Sequence, residues 1–260
     1  MNSDEANRHK WYESEEFWMV TYPEMFSEER WNTAPAEVSQ IVALLGLRGS
    51  AKVLDLSCGP GRHAIELAVR GFRVTGVDSS TFLLTKAKER AREKGVAVEL
   101  IINDVRSFTR PDAFDAAISI YSSFGYFEDQ NEDRLVAERI YASLRPGGKV
   151  MIDLIGREVL KRSFAPHSHS EGNGILVEID RNVNADLSWI ENHQTIVAAG
   201  KTHKFNMQHR IYSEEELRAL LQGVGFRDLQ THGNLAGAPY DDSANRLVII
   251  GHKSTSVPSA

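Results

Sequence analysis

The stretch Lys52-Val-Leu-Asp-Leu-Ser-Cys-Gly-Pro-Gly-Arg-His-Ala-Ile-Glu-Leu-Ala68 puts an apolar run, a glycine-rich turn and a helical pattern in immediate succession. Gly59 and Gly61 let the backbone turn tightly and approach a ligand, and the free N–H groups opening the following helix point the same way. Two residues of the turn carry reactive groups, the thiol of Cys58 and the imidazole of His63. Asp78 closes the next apolar run, where a carboxylate either accepts hydrogen bonds from ribose hydroxyls or caps a helix beginning near Thr81. Ala64 can stand for the third small residue of the G-x-G-x-x-G/A fingerprint. The turn and Asp78 by themselves therefore leave NAD and other nucleotide cofactors open.

Other chemistry-bearing residues stand at the ends of later apolar runs. Asp55 lies within the first run, and Asp104, in Asn103-Asp104-Val105, is placed to accept from an adenine amino group. Tyr121, Phe124, Tyr126 and Phe127 form an aromatic cluster whose faces can stack on a planar acceptor or contact a cation, or can fill core. His209, in Met-Gln-His-Arg-Ile-Tyr, can take a proton near neutral pH or serve as an ordinary strand residue. Tyr240 and Asp241 fall in a loop rich in turn formers, which reads first as solvated.

The elements that position these residues alternate. Between Lys52 and Ile155, short apolar strands alternate with amphipathic helices, and Arg145-Pro-Gly-Gly148 reads as a turn before the fifth strand. That alternation predicts a doubly wound parallel sheet covered on both faces, with ligands at the C-terminal strand ends. After Gly156 the pattern becomes three strands separated by short turns, an antiparallel insertion. A helix with Ser213 as N-cap and Glu216 closing a capping box then leads to two last strands that rejoin the sheet. The aromatic N-terminal segment reads as two short helices meeting near Tyr22, because Pro23 suits a helix start. The expected fold is α/β, a doubly wound seven-stranded, mostly parallel sheet. Its expected parts are an N-terminal helical cap (1–48), a core (49–156 and 213–253), an antiparallel β lid over the acceptor site (157–212) and a frayed tail (254–260).

Composition narrows the function classes. The chain is 42% hydrophobic and 25% charged, ordinary for a soluble globular protein. Its net charge of −6 gives no sign of a polyanion-binding surface. A single cysteine excludes an internal disulfide and a Cys-based zinc site. No apolar run approaches the roughly 20 residues of a membrane span. The opening Met-Asn-Ser-Asp-Glu segment lacks an apolar signal core, so a cytoplasmic location is expected.

Taken together, the first glycine motif, Asp78, Asp104, the aromatic end of strand four and the Pro-Gly-Gly turn resemble the class I S-adenosylmethionine (SAM)-dependent methyltransferases, in which such motifs recur in this order. The resemblance is close over about residues 50–155. The inserted sheet and N-terminal cap look most like small-molecule N- and O-methyltransferases of the glycine N-methyltransferase-like and antibiotic-tailoring kind. The resemblance implies that Ser57 and Gly59 hold the amino-acid end of SAM, with Asp55 orienting that loop or the ammonium. It implies Asp78 and Ser79 at the ribose, Leu83 packed on the adenosine, Asp104 and the Val105 backbone at the adenine, and Tyr121 facing the methionine portion. Ser57 departs from the pattern, since the family usually has glycine there. His209 and Tyr126 are the catalytic candidates. Methyl transfer from a sulfonium needs no enzyme nucleophile, so the same resemblance makes Cys58 a packing residue. The implied product is S-adenosyl-L-homocysteine (SAH), with no metal and with a small-molecule acceptor, in a monomer or homodimer. Three alternatives stay open. One is a tRNA or rRNA acceptor gripped by Arg157, Lys161 and Arg162; another is an NAD-dependent oxidoreductase; the third is a non-catalytic SAM-binding module.

Overall fold

A computed structural model describes residues 10–172 and 174–255. Beyond Thr255, the expected frayed tail lies outside the described residues, as do the first nine residues of the expected cap. After a short 3-10 turn at Trp11–Glu13, the chain forms α1 (Glu15–Met25), α2 (Glu28–Leu45), β1 (Lys52–Leu56), α3 (Arg62–Val69), β2 (Arg73–Asp78) and α4 (Thr81–Glu93). There follow β3 (Glu99–Ile102), β4 (Phe114–Ser119), α5 (Gln130–Ser143), β5 (Leu144–Leu154) and α6 (Arg157–Ser163). The remainder is β6 (His167–Gly172), β7 (Ile175–Val183), β8 (Trp189–Ala198), β9 (Lys201–Arg210), α7 (Glu214–Val224), β10 (Phe226–His232) and β11 (Leu247–Lys253).

Seven strands make one sheet in the order β10-β11-β5-β4-β1-β2-β3, in which only β11 runs against the rest. Alternate strand residues feed two cores. Leu54, Ala117 and Ile152 pack under α5 and α7, whereas Val53, Ala116 and Met151 pack under α2 and α3. Side-chain caps fix the helix starts: Ser14 accepts from Phe17 N–H, Ser80 from Leu83 N–H, and Asp129 from Asn131 N–H. At α7 the capping box of Ser213 and Glu216 forms as expected. No helix among the described residues is long and apolar enough to cross a membrane.

The structure differs from the sequence reading in three places. Arg145-Pro-Gly-Gly148 does not precede β5 but lies inside it, as an irregularity in the pairing with β4 where Gly147 takes φ 78°. Pro23 sits within α1, two residues from its end, and the break falls at Phe26 and Ser27 instead of at Tyr22. Near a helix end a proline removes a single donor, and the Phe26 N–H still closes on the Tyr22 carbonyl at 2.9 Å. The insertion has four strands, in the order β6-β7-β8-β9. Its edge strand, His-Ser-His-Ser-Glu-Gly, is polar and mostly exposed, so it carries no alternation to read.

This second sheet leans on the N-terminal segment. The Trp11 indole N–H donates to the Gln208 carbonyl (2.8 Å), and Phe17 meets Phe205 edge-on at 5.2 Å. Trp11, Phe17, Trp18 and Leu83 form a small core with Tyr126, Phe205 and Met207 against it.

Candidate functional site

A cavity opens at the C-terminal ends of β1 to β4, where the strand order reverses between β1 and β4. It encloses about 1280 Å³, open mouth included. Its floor is the turn after β1. Gly59 and Gly61 have φ of 55° and 81°, and Ser57 has φ 56°. A left-handed conformation costs a non-glycine residue about 1–2 kcal/mol, which is the physical reason glycine is expected at the position of Ser57. Asp78 ties the turn to the end of β2: one carboxylate oxygen accepts from Gly59 N–H (2.8 Å) and the other from Ser80 N–H (2.9 Å). Burial pushes its pKa up. Asp78 and Ser79 both line the cavity.

Asp55 does not line the cavity. It is buried beneath the turn, accepts from the Ala64 backbone N–H, and leaves Oδ2 without a partner. Burial first, and the nearby Asp78 charge second, push its pKa up to about 8. Cys58 lines the cavity at a buried position, and burial pushes the thiol well up, so no thiolate forms near neutral pH. Its sulfur packs over Gly76, where an added Cβ would sit 2.8 Å away.

On the far side of the turn, Leu83, Val105, Phe127 and Val136 line the wall together with the polar Asn103 and Asp104. Asp104 is held by Arg106, which also carries its carboxyl below the usual range.

The opposite wall begins where β4 ends. Tyr121 and Ser122 take consecutive left-handed conformations, φ 61° and 60°. Two such residues cost of order 1–3 kcal/mol each and persist only when their surroundings over-determine them. Asp153, at the end of β5, accepts from Tyr121 N–H through its carboxylate and from Ser122 N–H through its carbonyl, both at 2.9 Å. Arg246 in turn grips that carboxylate with two 2.7 Å bonds. The Tyr121 hydroxyl donates to Glu37 of α2 (2.6 Å), and its ring lies under the guanidinium groups of Arg62 (4.5 Å) and Arg246 (5.1 Å). Glu37 also pairs with Arg62 (3.1 Å) and with His63 Nε2 (2.8 Å). Hydrogen bonds from His63 and Tyr121 and the Arg62 charge outweigh burial and bring the Glu37 pKa down to about 2. His63 is therefore a buried partner of Glu37, and burial lowers its own pKa.

Tyr126 lines the cavity, stacked on Tyr12 (5.8 Å) and edge-on to Trp11 (4.7 Å). Burial lifts its hydroxyl pKa to about 12, so the phenol is neutral. His209 does not line the cavity. It stands behind Tyr126, ring centres 6.5 Å apart, with Nδ1 unpartnered, and burial lowers its pKa to about 4. So weak a base, set back from the cavity, argues against the expected proton-accepting role.

The roof is Tyr12, Glu13, Trp18, Met25, Phe26 and Arg30 of the N-terminal segment, and none of the described residues of 157–212 lines the cavity. Of Arg157, Lys161 and Arg162, expected at the mouth for an RNA acceptor, none lines the cavity: Arg157 is taken up by Glu216 (2.6 Å) and Arg162 by the Ala244 carbonyl (2.8 Å), and Lys161 is exposed. Sequence reasoning missed Glu37, Arg62, Asp153 and Arg246. Asp153 alone carried a signal, a carboxylate closing an apolar strand as Asp78 does.

A seven-stranded sheet of this order with a cavity at the β1/β4 reversal is the Rossmann-like methyltransferase fold. Residues 53–148 match a family model described as a methyltransferase domain. The chain is 25% identical over 213 residues to a glycine/sarcosine N-methyltransferase of Aphanothece halophytica, covering 79% of this chain and 77% of that one. A SAM-dependent methyltransferase of Clostridium acetobutylicum ATCC 824 superposes with a TM-score of 0.77 at 15% identity, over 92% of this chain and 98% of the other. The sugar N-methyltransferase KedS8 of Streptoalloteichus sp. ATCC 53650 gives 0.68 at 22% identity, over 88% and 92%. The chain belongs to the class I SAM-dependent methyltransferases and is an enzyme.

The residues present fit that cofactor. A buried acid at the end of β2 suits vicinal hydroxyls, and the apolar wall by Leu83 and Val105 suits a flat base. The neutral aromatic faces of Tyr12 and Tyr126 suit a sulfonium cation.

Proposed function

We propose that this enzyme transfers the methyl group of SAM to a nitrogen or oxygen of a small-molecule acceptor held between Tyr121 and Tyr126. The observation that carries this reading is the roof: six N-terminal residues cover the cavity, which suits an enclosed small molecule better than a nucleic acid strand. The internal pairing of Arg157 and Arg162 supports it as well.

When bound, SAM supplies an electrophilic methyl carbon for in-line displacement, leaving SAH. In this reading Asp78 accepts from both ribose hydroxyls, with Ser79 beside it, while its bonds to Gly59 and Ser80 keep it oriented. Backbone groups at Ser57 and Gly59 hold the amino-acid end. Asp55 acts from below, by fixing the turn through Ala64. Leu83 and Val105 pack the base, and Asp104 accepts from its amino group. The Tyr121 backbone faces the methionine portion, and Tyr126 presents a neutral ring to the sulfonium. Phe26, seated against Gly59, and Trp18 exclude water from the reacting atoms. Alignment of the acceptor does the chemical work, and His209 serves as packing behind Tyr126.

The test is incubation of the protein with isotopically labelled SAM and a panel of amines, hydroxy compounds and short RNAs, read by mass spectrometry. Label in a small amine or alcohol is expected. Label in RNA alone would refute the acceptor class, and calorimetry showing no SAH binding would refute the assigned cofactor site.

A further inference from the structure

Arg106 is spent on one carboxylate from two directions. Its Nε lies 3.0 Å from both oxygens of Asp104, a terminal nitrogen reaches Oδ2, and its own backbone N–H donates to Oδ1 at 2.8 Å. The guanidinium is anchored from outside as well. Its other terminal nitrogen meets Glu132 of α5 at 2.5 Å, Glu13 lies 3.8 Å away, and the group stacks 4.6 Å from the centre of the Phe127 ring. Asp104 and Phe127 line the cavity, and Arg106 does not.

An ionised carboxylate offers about four lone-pair sites. The shared Nε–H, one terminal N–H and the backbone N–H fill three, and because Nε is equidistant from the two oxygens the capacity for one further donor belongs to the carboxylate as a whole. A planar fork fixes the orientation of that carboxylate, which a point-charge ammonium cannot do.

We propose that Arg106 is a positioning residue for the adenine end: it holds the Asp104 carboxylate in one orientation, so that a single remaining lone pair accepts from the 6-amino group of the base. Through Phe127, Glu132 and Glu13 it also aligns the aromatic wall and the roof with that acceptor. This inference rests on the cofactor site assigned above. It makes selection of the 6-amino group a property of an arginine that never touches the ligand.

The experiment compares binding of SAH with that of S-inosyl-homocysteine, whose 6-oxo group presents an acceptor where Asp104 needs a donor. Calorimetry is run on the wild type, Arg106→Ala, Arg106→Lys, Asp104→Ala and the Asp104→Ala/Arg106→Ala pair, with thermal unfolding alongside. The wild type is expected to prefer SAH about tenfold or more, the scale of one hydrogen bond to a charged group. Arg106→Ala and Arg106→Lys should lose most of that preference, and the pair should lose no more than Asp104→Ala alone. If Arg106→Ala does not fold, Arg106→Lys carries the comparison. Variants that bind both ligands more weakly but keep the wild-type preference overturn the proposal, because a purely structural role weakens both alike. A wild type that binds both ligands equally also overturns it while leaving the methyl-donor site standing. A wild type that binds neither overturns that site, and the proposal with it.

Discussion

The two ends of the cavity hold their key carboxylates in opposite ways. At the β1–β2 end, Asp78 is bonded by the backbone N–H groups of Gly59 and Ser80, and Asp55 by that of Ala64; among the described residues neither buried acid forms an ion pair, and the Arg62 charge acts on Asp55 without a bond. At the β4–β5 end, Glu37 and Asp153 are bonded by the side chains of Arg62, His63, Tyr121 and Arg246, drawn from distant parts of the chain. Backbone donors hold a group rigidly and leave its charge uncompensated. Arginine partners compensate the charge, and each partner then depends on the other.

The comparison is tested hardest at Asp153. Removing one member of a buried ion pair strands the other, a loss of about 3–5 kcal/mol, whereas replacing both by apolar residues is often near neutral. Asp153→Ala should therefore lower stability by that order in chemical denaturation. A double change, Asp153→Leu with Arg246→Met, should recover part of the loss, less the cost of leaving the Tyr121 N–H without its carboxylate acceptor. A single variant with wild-type stability would show that the β4–β5 end does not depend on its pairs.

The two ends should also differ in the sign of their pH dependence. Asp55 has its pKa raised from 3.8 to about 8, so the native state keeps a proton that the unfolded chain has released. Its contribution is full below about pH 4 and is lost as pH rises toward 8. Glu37 has its pKa lowered from 4.5 to about 2, so its contribution is present above pH 4.5 and is lost as pH falls through about 2. Each effect is on the order of a few kcal/mol. Thermal unfolding of the ligand-free protein should show Asp55→Asn flattening the decline as pH rises from about 4 to 8, and Glu37→Gln flattening the one as pH falls from about 4.5 to 2. The same slope change in both variants would erase the distinction between the two ends.

A smaller effect is expected in binding. Asp78→Ala should weaken SAH by about tenfold or more, near 1.4 kcal/mol, through loss of the ribose acceptors. Glu37→Gln should leave SAH affinity within about threefold, since Glu37 does not line the cavity. Calorimetry on both variants reads this directly, and an unchanged Asp78→Ala affinity would remove Asp78 from the ribose role.

This contrast also explains what the sequence made legible. Gly59, Gly61, Asp78 and Asp104 each lie at the end of a strand or at the start of a turn, and their roles come from backbone geometry that local patterning encodes. The seven-stranded sheet was readable for the same reason. Glu37, Arg62 and Arg246 acquire their roles only when α2, α3 and the loop before β11 meet around Tyr121, and nothing in their local sequence announces that meeting. The polar edge strand β6 was missed because exposure on both faces removes the period-two signal. The N-terminal aromatic residues could be read as core or as cap. The roof includes Trp18 and Phe26, while Phe17 is buried behind them, so the segment serves as both.

The finest test uses two serines with nearly the same positive φ. Ser57 has φ 56° and Ser122 has φ 60°, so by conformation alone glycine should relieve both. Replacing a left-handed residue by glycine recovers about 1–2 kcal/mol of steric strain, less about 0.5–1 kcal/mol for the entropy glycine loses on folding. At Ser57 that balance should stand, and Ser57→Gly should gain up to about 1.5 kcal/mol. At Ser122 the hydroxyl oxygen accepts from Ile155 N–H at 3.0 Å, and glycine would leave that donor without its partner, a loss of about 1–3 kcal/mol. Ser122→Gly should therefore be neutral to destabilising. The denaturant midpoint is expected to rise for Ser57→Gly and to stay or fall for Ser122→Gly. If both rise together, side-chain bonds do not hold the β4–β5 turn, and backbone strain alone describes both ends of the cavity.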